Sequence, residues 1–250
     1  MSSNIRTQAV FTAVGIGGIA IAFVVGWLLL ARFAIPVPSP AWSAEQLAGF
    51  YVEHKNRIRL GCTVALAFMP LFALVLGVGL ARLRRAEKGT PVFSYALVIL
   101  IPVALILLIL PFIAWSVAAF RPGQLDPEIT QTLNDLGWFL FLFPWSVLTV
   151  IFTLVAIATL RAERGSEPLP RWSAYLLLWC GLLLAGSVLI IFFTDGPFAY
   201  SGVVGLYIPM AATVAFLVGM FFALAQALAT DYRTATGVSS FRQLLKQINS

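Results

Sequence analysis

Charge is what this chain has least of. Only 10% of its 250 residues are Asp, Glu, Lys or Arg, against about 25% in soluble domains. None of those charges falls inside the six long apolar segments at about 11–31, 60–81, 93–118, 137–160, 172–193 and 203–228. Ion-coupled carriers and proton pumps keep a carboxylate, His or Lys near the membrane midplane, so these bare segments argue against ion coupling through a buried charge. Histidine occurs once, at His54, and cysteine twice, at Cys62 and Cys180. With one imidazole and no CxxC there is no ligand set for zinc and no redox pair. No HExxH, GxSxG or midplane acidic pair supplies a nucleophile with its base. The chain therefore leans away from an enzyme, an intramembrane one being the least favoured class, and no catalytic, cofactor-binding or metal-binding residues and no cofactor are assigned.

Apolar residues fill the space instead. They make up 60% of the chain, and the mean hydropathy is +0.95. Each segment is long enough to span a hydrocarbon core of about 30 Å as a helix. The predicted fold is an all-α membrane protein of six spans over residues 1–232, followed by a tail at 233–250. The first apolar run exceeds a signal-peptide core and no convincing cleavage site follows it, so it reads as an uncleaved helix.

The net charge of +6 describes topology rather than a nucleic-acid partner, because the basic residues lie between spans. With both termini in the cytoplasm, 11 Lys and Arg residues fall inside and 5 outside, as the positive-inside rule prefers. Four of the outer ones (Arg32, Lys55, Arg57, Arg59) go against that trend. A multi-pass membrane protein with both termini in the cytoplasm follows, with the lipid bilayer as its first partner.

Helical hairpins repeat three times. Each even span carries a proline behind a bulky residue: Met69-Pro70, Phe143-Pro144 and Ile208-Pro209. Spans two and four leave through similar runs, Arg85-Ala86-Glu87-Lys88-Gly89 and Arg161-Ala162-Glu163-Arg164-Gly165. Spans three and five open alike, at Pro91-Val92-Phe93-Ser94 and Pro170-Arg171-Trp172-Ser173. Pro70, Pro102, Pro111, Pro144 and Pro209 are candidate kinks, since each removes a backbone donor and frees a carbonyl. Gly15, Gly17, Gly18 and Gly26 suit close helix approach in lipid. Among the tryptophans, Trp145 and Trp179 lie deepest and are candidates for an apolar pocket or for interior packing.

Two capping signatures mark further helices. Ser43 and Gln46 follow the stiff segment Pro36-Val37-Pro38-Ser39-Pro40 and open an outer interfacial helix at 44–58, predicted to lie on the membrane surface. Ser240 and Gln243 open a short amphipathic helix whose apolar stripe is Phe241, Leu244, Leu245 and Ile248. That tail would rest on the inner leaflet or dock a protein partner. The outer loops hold the candidate polar cluster: His54, Arg57, Arg59, Arg121, Asn134, Asp135 and Asp195. Arg57 or Arg59 could pair with Asp135 or Asp195, either as a structural clamp on the loops or as a substrate mouth.

Several of these blocks are familiar. Pro38-Ser39-Pro40 with Ser43-Ala44-Glu45-Gln46-Leu47-Ala48 and Phe50-Tyr51, then His54, Asn56-Arg57-Ile58-Arg59 and Gly61, form one. Ala118-Ala119-Phe120-Arg121-Pro122, Asp126-Pro127-Glu128 and Leu133-Asn134-Asp135 form another, and Pro170-Arg171-Trp172 with Gly196-Pro197-Phe198-Ala199-Tyr200 a third. Over most of its length the chain resembles uncharacterised six-span inner-membrane proteins of actinobacteria and some proteobacteria. That resemblance implies the topology above and no activity, substrate or site. Two functions remain open. The first is a non-catalytic accessory or scaffold component. The second is a carrier or binding protein for an apolar small molecule, lipid-like or sterol-like. A wet cavity between the prolines, opening at His54 or Asp135, would mark the carrier, and a tightly packed bundle the scaffold.

Overall fold

A computed structural model describes residues 3–33 and 37–236. Pro36 and the amphipathic helix of the tail lie outside the described residues. Among the described residues six helices are long and apolar enough to cross a membrane: Asn4–Ala31, Ala44–Ala86, Val92–Ala118, Pro127–Arg161, Arg171–Phe192 and Val203–Ala235. The protein is a polytopic, all-helical membrane bundle. Six crossings put both ends of the described chain on one side, called here the terminal face. The opposite side is the far face.

The first span is α1 (Ser3–Ala20) continued by a π-helical segment at Ile21–Ala31. The second is α2 (Ala44–Phe68), a 3-10 turn at Met69–Leu71 and α3 (Phe72–Ala86). The third is α4 (Val92–Ala118), and the fourth joins α5 (Pro127–Leu142) to α6 (Trp145–Arg161). The fifth runs from α7 (Arg171–Leu184) into a 3-10 segment at Ala185–Phe192. The sixth opens with a π turn at Val203–Tyr207 before α8 (Ile208–Thr236). Consecutive spans pack side by side, and α8 returns against α1, so the ring closes.

Three of the five interior prolines interrupt their helices. Pro70 sits in the 3-10 turn, Pro144 in the break between α5 and α6, and Pro209 just inside α8 after the π turn. Each even span therefore loses regular α-helix at its predicted kink. Pro102 and Pro111 lie inside α4 without interrupting it.

The hairpin echo extends to the turns. Gly89 and Gly165 close the two matching basic runs at φ +75° and +87°, a region that glycine enters without a Cβ penalty. Pro91 and Pro170 then precede α4 and α7. Ser94 and Ser173, three residues into each, are both buried. Lys88 and Glu163, one from each run, pair at 2.6 Å on the terminal face.

The 44–58 segment departs from expectation. It does not lie separately on the membrane surface, because α2 runs unbroken from Ala44 to Phe68. The capping box forms as predicted, with Gln46 N donating to Ser43 Oγ at 3.3 Å and Ser43 N to Gln46 Oε1 at 3.0 Å. The second span, 43 residues long, would measure about 65 Å if straight and regular, twice the hydrocarbon core. Its first turns pack beside α5, with Leu47, Tyr51 and Ile58 buried. Those apolar residues face protein rather than lipid headgroups.

Glycine sets the helix spacing. A Cβ on Gly15 would come within 2.8 Å of Val75 N, and one on Gly18 within 2.5 Å of Leu71 Cβ. Gly26 and Gly61 cross each other so closely that a Cβ on Gly61 would collide with the Gly26 carbonyl. Gly17 is the exception in the cluster and faces open space.

Candidate functional site

The central feature is an apolar cavity of about 600 Å³ among spans one, four and six. Its walls include Phe23 and Trp27 from the first span, Phe141, Pro144 and Trp145 from the fourth, and Pro209, Met210 and Thr213 from the sixth. Every departure from regular α-helix but one lies on this half of the molecule and reaches the walls. The π segment supplies Phe23, Val24, Trp27 and Leu28; the fifth span's 3-10 segment supplies Ser187, and the π turn supplies Leu206. π-helix and long 3-10 runs bond less well than α-helix and recur at functional sites and hinges. Here they let the helices part where α-helical spans would pack together.

The wall chemistry is hydrocarbon and aromatic. Its two hydroxyls are already engaged: Ser187 Oγ donates to Gly205 O at 3.3 Å, and Thr213 Oγ1 to Pro209 O at 2.9 Å. A second, smaller apolar cavity of about 100 Å³ continues toward the terminal face, sharing Ile16, Phe72, Leu108, Phe152 and Phe216 as walls.

Below the smaller cavity, whose walls include Leu83 and Pro168, Arg82 is buried in the inter-helix contact. Its Nε donates to Pro168 O at 2.8 Å and its Nη1 to Asp231 Oδ2 at 2.8 Å. One guanidinium thus ties the ends of spans two and six to the loop between four and five. Such a fork suits arginine, whose planar donors serve two acceptors at once. Arg85 adds a bond from Nη2 to the side chain of Gln8 at 3.2 Å, bringing in the first span.

Toward the far face, aromatic rings stack into a plug. Trp27 lies on Phe141 (centroids 5.1 Å apart) and edge-on to Trp138 at 6.3 Å, and Trp138 stacks on Tyr200 at 5.2 Å. Phe33, Phe112 and Trp115 complete it. Gly137 admits the Trp115 indole, which a Cβ there would strike.

Behind the plug is a buried polar network. Tyr51 OH donates to Asn134 Oδ1 at 3.1 Å; Asn134 Nδ2 donates to Tyr200 OH at 3.1 Å and to Asp135 Oδ1 at 3.2 Å. Tyr200 OH donates in turn to Asp135 Oδ1 at 2.9 Å. Burial first, and the neighbouring Asp135 carboxylate second, push the Tyr200 phenol well above its ordinary range. Each polar group has a partner, as buried polar groups require. The network fastens α2, α5 and the 193–202 loop together.

The predicted polar cluster therefore divides. Asn134 and Asp135 join the network. Arg59 turns away from both acids: its Nε and Nη2 donate to the carbonyls of Ala119 at 2.8 Å and Phe120 at 2.6 Å. There its charge satisfies the carbonyls left open where α4 ends. His54 stacks on Phe50 at 4.6 Å, with its Nδ1 3.1 Å from the Phe50 carbonyl. Arg121 lies over the Phe120 ring at 5.4 Å. Arg57 and Asp195 are exposed and form no ion pair among the described residues. The proposed Arg57 or Arg59 pairing with Asp135 or Asp195 does not form, because nearby backbone carbonyls take Arg59 and neutral side chains take Asp135.

Neither His54 nor Asp135 lines the cavity, so the predicted mouth is not where the space opens. Trp145 lines it, whereas Trp179 is 63% exposed and turned outward. Sequence reasoning missed the Arg82–Asp231 tie and the roles of Tyr51 and Tyr200, since no spacing links residues so far apart. Among the described residues no group of His, Cys, Asp or Glu could hold a metal ion. Comparison with protein-family models, with curated proteins and with solved structures finds no match.

Proposed function

We propose that this protein binds an apolar small molecule inside its helical bundle, as a non-catalytic carrier or binding protein. The cavity of about 600 Å³ carries the reading. That volume falls within the range of about 300–1,000 Å³ typical of small-molecule sites. Its walls offer hydrophobic and aromatic contact with no free charge, which suits a lipid-like or sterol-like molecule and disfavours an ion or sugar. Interrupted helices around it supply segments able to shift as the occupant enters or leaves.

In this reading the terminal face is cytoplasmic, in keeping with the distribution of Lys and Arg. The membrane is the bacterial inner membrane, as the resemblance to actinobacterial and proteobacterial six-span proteins implies. The accessory or scaffold reading rests on the tail, whose apolar stripe could dock a polypeptide. Purification from native membrane in polymer nanodiscs, with mass spectrometry of everything retained, separates the two. The binding reading expects an enriched apolar molecule that is depleted in Thr213→Phe, which adds a ring to the cavity wall. A stoichiometric polypeptide, lost when residues 238–250 are removed, with no enriched small molecule, would replace it with the scaffold reading.

A further inference from the structure

The walls of the cavity differ in what lies behind them, and that difference points to where an occupant comes from. Toward the far face, the plug of Trp27, Trp138 and Tyr200 and the hydrogen-bonded network behind it close the space. Toward the terminal face it narrows into the smaller cavity, beneath which Arg82 ties three elements together. Sideways it is open. Val24, Val214, Val218 and Phe222 line the cavity, yet remain 48%, 55%, 51% and 59% exposed on the surface that faces lipid.

The opening has a structural cause. Span one packs on span two along both halves, α1 on α3 and the π segment on α2 where Gly26 meets Gly61, but it is α1 that also packs on α8. Spans one and six therefore touch over the terminal half and part over the other half. A gap there in a soluble protein would fill with water. In a bilayer it adjoins acyl chains, and its apolar walls are continuous with the outer surface of the bundle.

We infer that the occupant is the hydrocarbon chain of a bilayer lipid, admitted sideways between the π segment of span one and the start of α8. This rests on the proposed apolar binding function and specifies its ligand and route. The hydroxyls of Ser187 and Thr213 donate to backbone carbonyls, and the buried wall donor without a partner among the described residues is the Trp27 indole N–H. One indole N–H does not replace the hydration of a charged headgroup. The headgroup stays at the mouth while the chain inserts.

The test uses the full chain in phosphatidylethanolamine–phosphatidylglycerol vesicles doped with a phospholipid carrying a diazirine in its acyl chain. After illumination, adducts are mapped by peptide mass spectrometry. A parallel sample receives a small free aryl diazirine. The expected result is lipid adducts on Met210 and Leu217 within the cavity, as well as on Ile106, which faces lipid elsewhere. Val218→Phe, which narrows the mouth, should lower the Met210 adducts several-fold. The Ile106 adducts should be unchanged, which also reports that the variant is folded and inserted. Lipid adducts confined to Ile106 and similar positions, with the free probe still marking Met210, would overturn lateral lipid entry and leave the binding function standing. Met210 unmarked by either probe would overturn both. Unchanged Met210 adducts in Val218→Phe would overturn the route.

Discussion

Replacing Gly61 with alanine should damage the bundle far more than its single methyl suggests. The added Cβ would strike the Gly26 carbonyl and lie 2.6 Å from Ala31 N and 2.7 Å from Ala31 Cβ. Two of those neighbours are backbone atoms, so no flexible side chain can yield; the π segment itself must move off α2. Overpacking of this kind costs about 1–3 kcal/mol and sometimes more, and a backbone clash belongs at the upper end. Better helix propensity returns at most about 1 kcal/mol. The net is a loss of roughly 2 kcal/mol, about a thirtyfold drop in the folded-to-unfolded ratio. By the scaling for chains of this length, the midpoint should fall by about 4–8 °C. Gly17→Ala is the internal control, since its Cβ would meet nothing within 4 Å. Thermal unfolding in one detergent, followed by circular dichroism, should place Gly61→Ala well below the parent and Gly17→Ala level with or above it. Equal midpoints for the two variants would refute the argument that this crossing holds span one away from span six.

Tyr200→Phe should alter the alkaline limit of stability. The phenol is raised in the folded state, so its contribution is intact below the unfolded value of about 10 and is lost as pH rises beyond it. Midpoints measured between neutral pH and pH 11 should fall less steeply for Tyr200→Phe, which has no proton there to lose. Asp231→Asn weakens the tie to Arg82 while leaving Pro168 as an acceptor; a cost near 1 kcal/mol is expected, because Asp231 is 34% exposed and water screens the pair. Arg82→Ala removes both bonds and the buried stem together, so the same melting assay should register a distinctly larger loss. Ser43→Ala breaks the capping box and should cost about 1 kcal/mol, visible as faster amide exchange over the first turn of α2 with the rest of that helix protected.

The most legible features were those set by neighbours along the chain. Hydropathy marked six spans because the bilayer demands about twenty apolar residues per crossing, whatever those residues later touch. The Ser43–Gln46 capping box and the glycine turns at Gly89 and Gly165 are contacts or conformations within a few residues. The prolines at 70, 144 and 209 also act on their own helices, so the breaks in the even spans could be anticipated. Pro102 and Pro111 show the boundary of that logic, since α4 stays continuous through both.

Partner choice belongs to the tertiary structure. Arg82 and Asp231 are separated by 149 positions, and Tyr51 and Asn134 by 83; only the closed ring of spans makes them neighbours. Arg59 offered a choice of acids in the sequence and took helix-end carbonyls instead, because those were within reach and lacked donors. Gly17 and Gly18 are indistinguishable as letters, yet only Gly18 lies against a neighbouring helix. The cavity is further still from local reading. It is the space left where a π segment follows α2 instead of α8, and composition specifies that a wall is apolar without specifying whether it meets another wall. Burial in lipid makes every span similarly hydrophobic, so which faces touch, and which part to leave room, is decided by the packing of backbones at Gly26 and Gly61.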